Sequence, residues 1–328
     1  MTLEQARETE DSISHGRFQR SLLCWFDRHK RDLPWRRDRD PYRVWLSEIM
    51  LQQTRVAAVT NHYERFLQRF PSVERLAAAR EASVLAAWSG LGYYRRARML
   101  HAAAKKIVKE HGGKFPGSVE GLRALPGIGR YTAAAIASIA FGQLVAVVDG
   151  NVERVLQRVH GKKIAGEALW RAAGELLSQL RPGDFNQAVM ELGATLCLPR
   201  QPRCLLCPVS DLCATRGELQ GQIEARSQIK RHIHYTLACR NGSIFLVQRS
   251  KTVALMPGMW ELPEASVNET AEEWLTVRHS ITVTDYVVRV LRGTAPRYLN
   301  GRWVRKSRVT ALPLTGLARK ILRAAEII

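Results

Sequence analysis

Four cysteines crowd the middle of this 328-residue chain: Cys197, Cys204, Cys207 and Cys213, spaced C-x6-C-x2-C-x5-C. Pro199, Pro202 and Pro208 stiffen the same stretch. Four thiols held this close must share a metal centre, pair as disulfides or pack idly. Tetrahedral sulfur ligation suits either zinc or an iron–sulfur cluster, and the spacing alone does not choose between them. Disulfides fit poorly with a polar N-terminus, MTLEQARETEDSISHGRF, that lacks a signal-peptide core. The expected compartment is therefore reducing and cytoplasmic, at the nucleoid if the cell is bacterial. Cys24 and Cys239 stand singly in apolar surroundings and read as small core hydrophobes.

The longest apolar run, Ala133–Val148, is shorter than the roughly 20 residues of a membrane span and is interrupted by Ser138, Gly142 and Gln143. It reads as a buried helix entering a turn, in a protein with no membrane role. With 50 basic and 30 acidic side chains the formal charge is +20. Residues 231–328 hold +8 of that excess and the preceding part +12, as expected if both face one polyanion. A generically basic composition would give the same total, so charge permits nucleic acid without proving it.

Apolar residues recur at helical spacing in Phe18–Phe26, Val44–Val59, Val84–Leu91, Ala97–Val108 and Leu169–Leu180. Residues 1–217 therefore read as a mostly helical domain. Residues 218–231 are polar and charged and read as a linker. Residues 232–328 turn to strand patterns at His234–Cys239, Ile244–Gln248 and Tyr286–Leu291, with helices expected at Ala271–Trp274 and Leu317–Ala325. This predicts a multidomain protein with a small α+β tail.

Three motifs can carry chemistry. In LPGIGRYTA, Gly127 and Gly129 make a tight turn whose N–H groups and following helix N-terminus can face a phosphate. A lone Gly-x-Gly more often just reverses the chain. In VVDGNVERV, Asp149 sits where a helix N-cap belongs, and the helix dipole there favours a carboxylate. In WLSEIMLQQT, Glu48 stands among Trp45, Leu46, Ile49 and Met50. Desolvation in such company would raise its pKa, as a general acid requires, whereas an isolated helix glutamate is usually exposed.

Together these segments carry a resemblance. FNQAVMELGATLCLPRQPRCLLCPVSDLC (Phe185–Cys213) closely resembles the [4Fe–4S] loop of the endonuclease III and MutY superfamily of DNA glycosylases. LPGIGRYTA is similar to its helix–hairpin–helix. WLSEIMLQQT, LPWR at Leu33–Arg36 and GLGYYR at Gly90–Arg95 resemble the MutY branch in particular. The resemblance covers roughly residues 18–217 and implies a helix–hairpin–helix glycosylase that removes adenine mispaired with 8-oxoguanine or guanine from double-stranded DNA. It implies catalytic roles for Glu48, Asp149, Asn151 and Tyr131. Trp35, Arg36 and Gln187 would line the adenine pocket, and Gln53, Tyr93, Leu125, Gly127, Gly129 and Arg130 would contact DNA. A [4Fe–4S] cluster would sit on Cys197, Cys204, Cys207 and Cys213, shaping a loop in which Arg200 and Arg203 grip phosphate. A monomer suits an enzyme that wraps DNA.

Bifunctional relatives carry a lysine nucleophile directly after the hairpin's Gly-x-Gly-Arg. Tyr131 stands there, and a phenol cannot form a Schiff base. The tail resembles the MutT-like (Nudix-like) recognition domain of MutY. It lacks the Glu-rich metal box of active Nudix hydrolases, and Met259–Pro263 matches a family-like turn. Where the family reads the lesion with a Phe-Ser-His loop, the corresponding stretch here is taken as Val277-Arg278-His279 followed by Ser280, leaving His279 and Ser280 as candidate donors. A bifunctional pyrimidine glycosylase and a non-enzymatic iron–sulfur DNA-binding protein are the alternatives, and intact Glu48 and Asp149 speak against the second.

Overall fold

The computed structural model describes residues 3–219, 229–253, 255–265, 273–281, 284–296 and 299–328, with only the backbone of residues 3–13. Six helices come first: α1 (Leu3–His29), α2 (Pro41–Leu51), α3 (Val56–Arg69), α4 (Val73–Ala78), α5 (Glu81–Trp88) and α6 (Arg95–His111). Then follow α7 (Val119–Arg123), α8 (Arg130–Phe141), α9 (Gly150–Val159), α10 (Gly166–Glu175) and α11 (Pro182–Thr195). The tail adds β1 (Ile229–Leu237), β2 (Cys239–Arg240), β3 (Ser243–Gln248), β4 (Trp260–Glu261), β5 (Glu273–Ile281), β6 (Thr284–Arg292) and β7 (Gly301–Arg305). It ends in α12 (Lys306–Val309) and α13 (Gly316–Ala324). Among the described residues no helix is long and apolar enough to cross a membrane.

Local chemistry sets several of these limits. Asp40 caps α2 by accepting from the Arg43 N–H, with Pro41 in the first turn, where its missing N–H is harmless. Gly142 closes α8 at φ 68°, a left-handed value that glycine takes without strain. The apolar pattern over Val44–Val59 is not one helix, however. It breaks between Leu51 and Val56, where Gln53 adopts φ 55° and cannot continue a right-handed helix.

The chain forms two compact units that do not follow its order: residues 1–52 with 109–223, and residues 53–108 with 224–328. In the first, α2 packs against α8, and Trp45, Leu46, Met50 and the Ala133–Ala137 run are buried. Helix α11 packs against α1, α8 and α9.

The second unit combines α3–α6 with the tail. Among the described residues its strands form the sheet β1-β6-β5, with β1 and β6 parallel, and an antiparallel group in which β3 pairs with β2, β4 and β7. Leu237, Ile244, Leu246, Val288, Val290, Ile321 and Leu322 form the tail's core.

Several expectations need correction. Glu273 and Trp274 begin β5 and are not helical; residues 271 and 272 lie outside the described residues, as does most of the expected linker. Met259–Pro263 supplies strand β4 in place of a turn, with Met259, Trp260 and Leu262 buried. Cys24 and Cys239 are exposed. Phe18, Leu22 and Phe26 take the buried stripe of α1, which turns Cys24 outward, and Cys239 sits on the two-residue strand β2.

Candidate active site

Helix α2 carries Glu48 inward, 7% exposed, between apolar neighbours. Burial pushes its carboxyl up to about 7. A hydrogen bond from Tyr131 opposes that rise, the charge of Asp149 adds to it, and Arg36 counters it. Tyr131, in the first turn of α8, donates from its Oη to Glu48 Oε2 at 2.7 Å and lies 3.4 Å from Met190 Sδ. Burial, and then the charges of Glu48 and Asp149, hold the phenol well above its usual value, so it remains a donor. A carboxyl poised near neutrality and fixed by a neutral donor can deliver a proton to a bound base.

Asp149 is the N-cap of α9. Its Oδ1 accepts from the backbone N–H of Asn151 (2.9 Å) and Val152 (2.7 Å), and its Oδ2 accepts from Asn151 Nδ2 at 3.0 Å. The helix start that needs a carboxylate thus also fixes it in place. Asn186, buried on α11, steadies the approach, since its Oδ1 accepts from Val147 N–H and its Nδ2 donates to the Val145 carbonyl. Arg154 Nη2 donates to Asn151 Oδ1 (2.8 Å) and the Gly193 carbonyl (2.7 Å), while its Nε donates to the Cys197 carbonyl.

The cysteine loop follows α11. Among the described residues no group of three or more His, Cys, Asp or Glu side chains is arranged as a metal site. The donor set nonetheless fits a thiolate-bound cluster. None of the four is in a disulfide, and burial, then the closeness of the other three cysteines, pushes the Cys207 thiol up to about 11. Arg158, buried beside them, donates to Cys197 Sγ at 3.3 Å and to the Leu198 and Pro199 carbonyls. A cation there would offset part of the charge of four thiolates. Arg200 and Arg203 are exposed.

Trp35 and Arg36 form a 3-10 turn before α2. Arg36 Nη2 donates to Glu191 Oε2 at 2.8 Å, and Arg31 grips the same carboxylate through Nε (2.6 Å) and Nη2 (2.8 Å). Burial alone would raise Glu191, but the two guanidiniums overcome it and bring the carboxyl down to about 2. Gln187, half-buried, stands three residues before Met190 on α11. The sequence reading missed Arg31, Glu191, Arg154 and Asn186. A glutamate on the apolar helix α11 was open to the logic applied to Glu48, whereas its partners, up to 160 residues away, left no local trace.

At the hairpin, Gly127 has φ 76° and Gly129, at φ −86°, is the N-cap of α8. A Cβ at Gly129 would meet open space, so nothing inside the fold demands glycine there; a close approach from outside would. Leu125 is buried, and its backbone is used within the turn: its N–H donates to the Leu122 carbonyl and its carbonyl accepts from the Ile128 N–H. Arg130 pairs with Glu167 and lies over the Trp170 ring, its charged carbon 3.9 Å from the centroid. In the second unit, Gln53 and Tyr93 both take left-handed backbone values, φ 55° and 47°. Such values cost about 1–3 kcal/mol in non-glycine residues and cluster at functional sites. Tyr93 is 46% exposed.

Val277, Arg278, His279 and Ser280 all lie within strand β5, not in a loop. Val277 is buried in the tail core, His279 is half-buried opposite Tyr286, and the Ser280 hydroxyl donates to Asp285. Burial, then Lys320, lowers the His279 pKa, so the imidazole favours its neutral form.

Residues 46–177 match the family model described as HhH-GPD superfamily base excision DNA repair protein. The human adenine DNA glycosylase is 51% identical over 218 residues, 62% of this chain and 40% of its own length; the chain thus spans under half of that relative. The adenine DNA glycosylase of Buchnera aphidicola subsp. Acyrthosiphon pisum is 32% identical over 270 residues, 79% of this chain and 77% of that one. A solved thermostable thymine-DNA glycosylase superposes with a TM-score of 0.59 at 31% identity, covering 62% of this chain and 97% of its own.

Proposed function

The chain belongs to the adenine DNA glycosylase family, and from that premise we propose that it hydrolyses the N-glycosidic bond of adenine mispaired with 8-oxoguanine or guanine in duplex DNA. One observation carries the reading: a buried glutamate raised to about 7 and held by a neutral phenol. The target adenosine leaves the stack to reach Glu48. Glu48 then protonates adenine N7, and the C1′–N9 electron pair departs with the neutral base. The sugar is left as an oxocarbenium-like cation, which Asp149 stabilises from its fixed position at the start of α9. Water adds at C1′, its proton is lost, and an abasic site remains. Tyr131 supports Glu48 and has no amine with which to form a Schiff base, so strand cleavage is not part of the reaction.

Trp35, Arg36 and Gln187 line the adenine pocket. The N–H groups of Gly127, Gly129 and Arg130 at the hairpin receive a backbone phosphate, and Gln53 and Tyr93 enter the duplex. Cys197, Cys204, Cys207 and Cys213 would hold a [4Fe–4S] cluster, which would stiffen the loop that carries Arg200 and Arg203 toward DNA. The enzyme acts as a monomer on double-stranded DNA in the cytoplasm, at the nucleoid if the cell is bacterial, with the tail as a recognition module.

Single-turnover base release tests this on duplexes bearing A opposite 8-oxoguanine, A opposite G, A opposite T, and an oxidised pyrimidine, with and without alkali. Release confined to A opposite 8-oxoguanine or G, with breaks only after alkali, is the expected result. Glu48→Gln should keep mismatch binding and lose at least about a hundredfold in rate, the scale of general acid catalysis. Normal excision by that variant would overturn the acid assignment. Purified protein should contain about four iron and four sulfide per chain, and Cys207→Ala should lose them; zinc in their place would overturn the cluster.

A further inference from the structure

The turn joining α5 to α6 is supported far beyond the needs of a surface loop. Three of its residues take left-handed values: Gly90 (φ 110°), Gly92 (70°) and Tyr93 (47°). A Cβ at Gly90 would come within 2.9 Å of His62 Nε2, so the turn presses against α3 there. Trp88 Nε1 donates to the Gly92 carbonyl at 3.2 Å, and Arg96 Nη2 donates to the Leu91 and Gly92 carbonyls at 3.1 and 3.3 Å.

The tail, which belongs to the same compact unit, holds the two ends of this turn. The Leu314 carbonyl accepts from the Ser89 hydroxyl at 3.1 Å and from the Tyr94 hydroxyl at 2.8 Å. Arg319, in the first turns of α13, donates from Nε to Ser89 Oγ at 2.8 Å. Ser89, Tyr94 and Leu314 are all buried. Leu314 cannot drift, because the residues on both sides of it are tied to β4: Trp260 N–H donates to the Pro313 carbonyl, and Thr315 N–H to the Trp260 carbonyl. One fixed acceptor in the tail therefore sets the span between Ser89 and Tyr94, and between them the exposed Tyr93 ring projects.

We propose that Ser89, Tyr94 and Arg319 are positioning residues: a clasp through which residues 314–319 of the tail fix the turn that presents Tyr93 to duplex DNA. This rests on the reading of Tyr93 as a residue that enters the duplex. A packing contact alone would also satisfy buried hydroxyls. The clasp differs in joining both ends of a strained turn, and so it has consequences at the tip.

The test uses the full chain and two variants that keep side-chain bulk, Tyr94→Phe and Arg319→Met, with Tyr93→Ala as reference. Affinity is measured for duplexes carrying a non-cleavable adenine analogue opposite 8-oxoguanine and for fully paired duplex. At saturating protein, 2-aminopurine placed beside the lesion reports unstacking. The clasp predicts that each variant lowers mismatch selectivity about fivefold, the scale of one hydrogen bond, and dims the 2-aminopurine signal. Adding Tyr94→Phe to Tyr93→Ala should cost nothing further. Equal weakening on both duplexes with an unchanged signal, or full additivity with Tyr93→Ala, would show a merely structural contact and overturn the proposal. If Tyr93→Ala by itself moves neither readout, the reading of Tyr93 fails and the clasp with it. If Tyr93→Ala moves both and Tyr94→Phe neither, the clasp alone is wrong.

Discussion

Glu48 is costly to the fold in the form that water would give it. Its folded pKa lies near 7 against an ordinary 4.5, so the native state holds its proton more tightly than the unfolded chain. The associated stability is fully present below about pH 4.5, declines as pH rises, and is lost once pH passes about 7. The loss amounts to about 3 kcal/mol. Glu48→Gln should therefore melt above the parent protein at pH 8, the gap closing toward pH 5; thermal melts across that range check it. Over the same range the parent's single-turnover rate should fall as pH climbs beyond 7 if, as proposed, Glu48 reacts in its acid form. This residue was legible in the sequence because its neighbours along one helix are apolar. The Arg31–Glu191–Arg36 cluster was not, because its members meet only after folding.

Between elements, the site depends on how closely helices approach. Gly193 on α11 faces the start of α9, where an added Cβ would sit 2.7 Å from Asn151 Cβ and 3.0 Å from its carbonyl oxygen. Gly183, at the other end of α11, would meet the Ser138 carbonyl oxygen at 2.5 Å. Contacts with backbone cannot be relieved by a rotamer change. Gly193→Ala should destabilise the protein by about 1–3 kcal/mol and, by shifting Asn151 and Asp149, lower excision more than mismatch binding. Denaturant melts and single-turnover rates check this, and a normal rate would show that α9 can give way. Helix identities were largely readable from periodicity, and the Asp149 cap from residue type. The break after Leu51 was not, because a left-handed residue such as Gln53 leaves no mark in a hydrophobic pattern. The tail misled more: MWELP resembles a family turn, yet its alternating buried Trp260 and partly covered Glu261 make a strand once β3 lies alongside.

For the molecule as a whole, the excess of +20 is divided between the helical part and the tail. If both engage the duplex, log affinity should fall linearly with log salt at a slope of about −0.9 per phosphate neutralised. With roughly six such contacts, affinity should drop about a thousandfold or more between 50 and 200 mM salt. A titration series checks this, and a shallow slope would mean that much of the charge never meets DNA. Composition marks where strand patterns begin, but it is silent about which helices a tail packs on. That arrangement has a consequence during synthesis. Helices α3–α6 leave the ribosome long before residues 224–328, with which they form one compact unit. At about 5–20 residues per second, they wait on the order of ten seconds for their partner. Throughout that interval the hydroxyls of Ser89 and Tyr94 face water instead of the Leu314 carbonyl, and the nascent chain offers chaperones an unfinished surface.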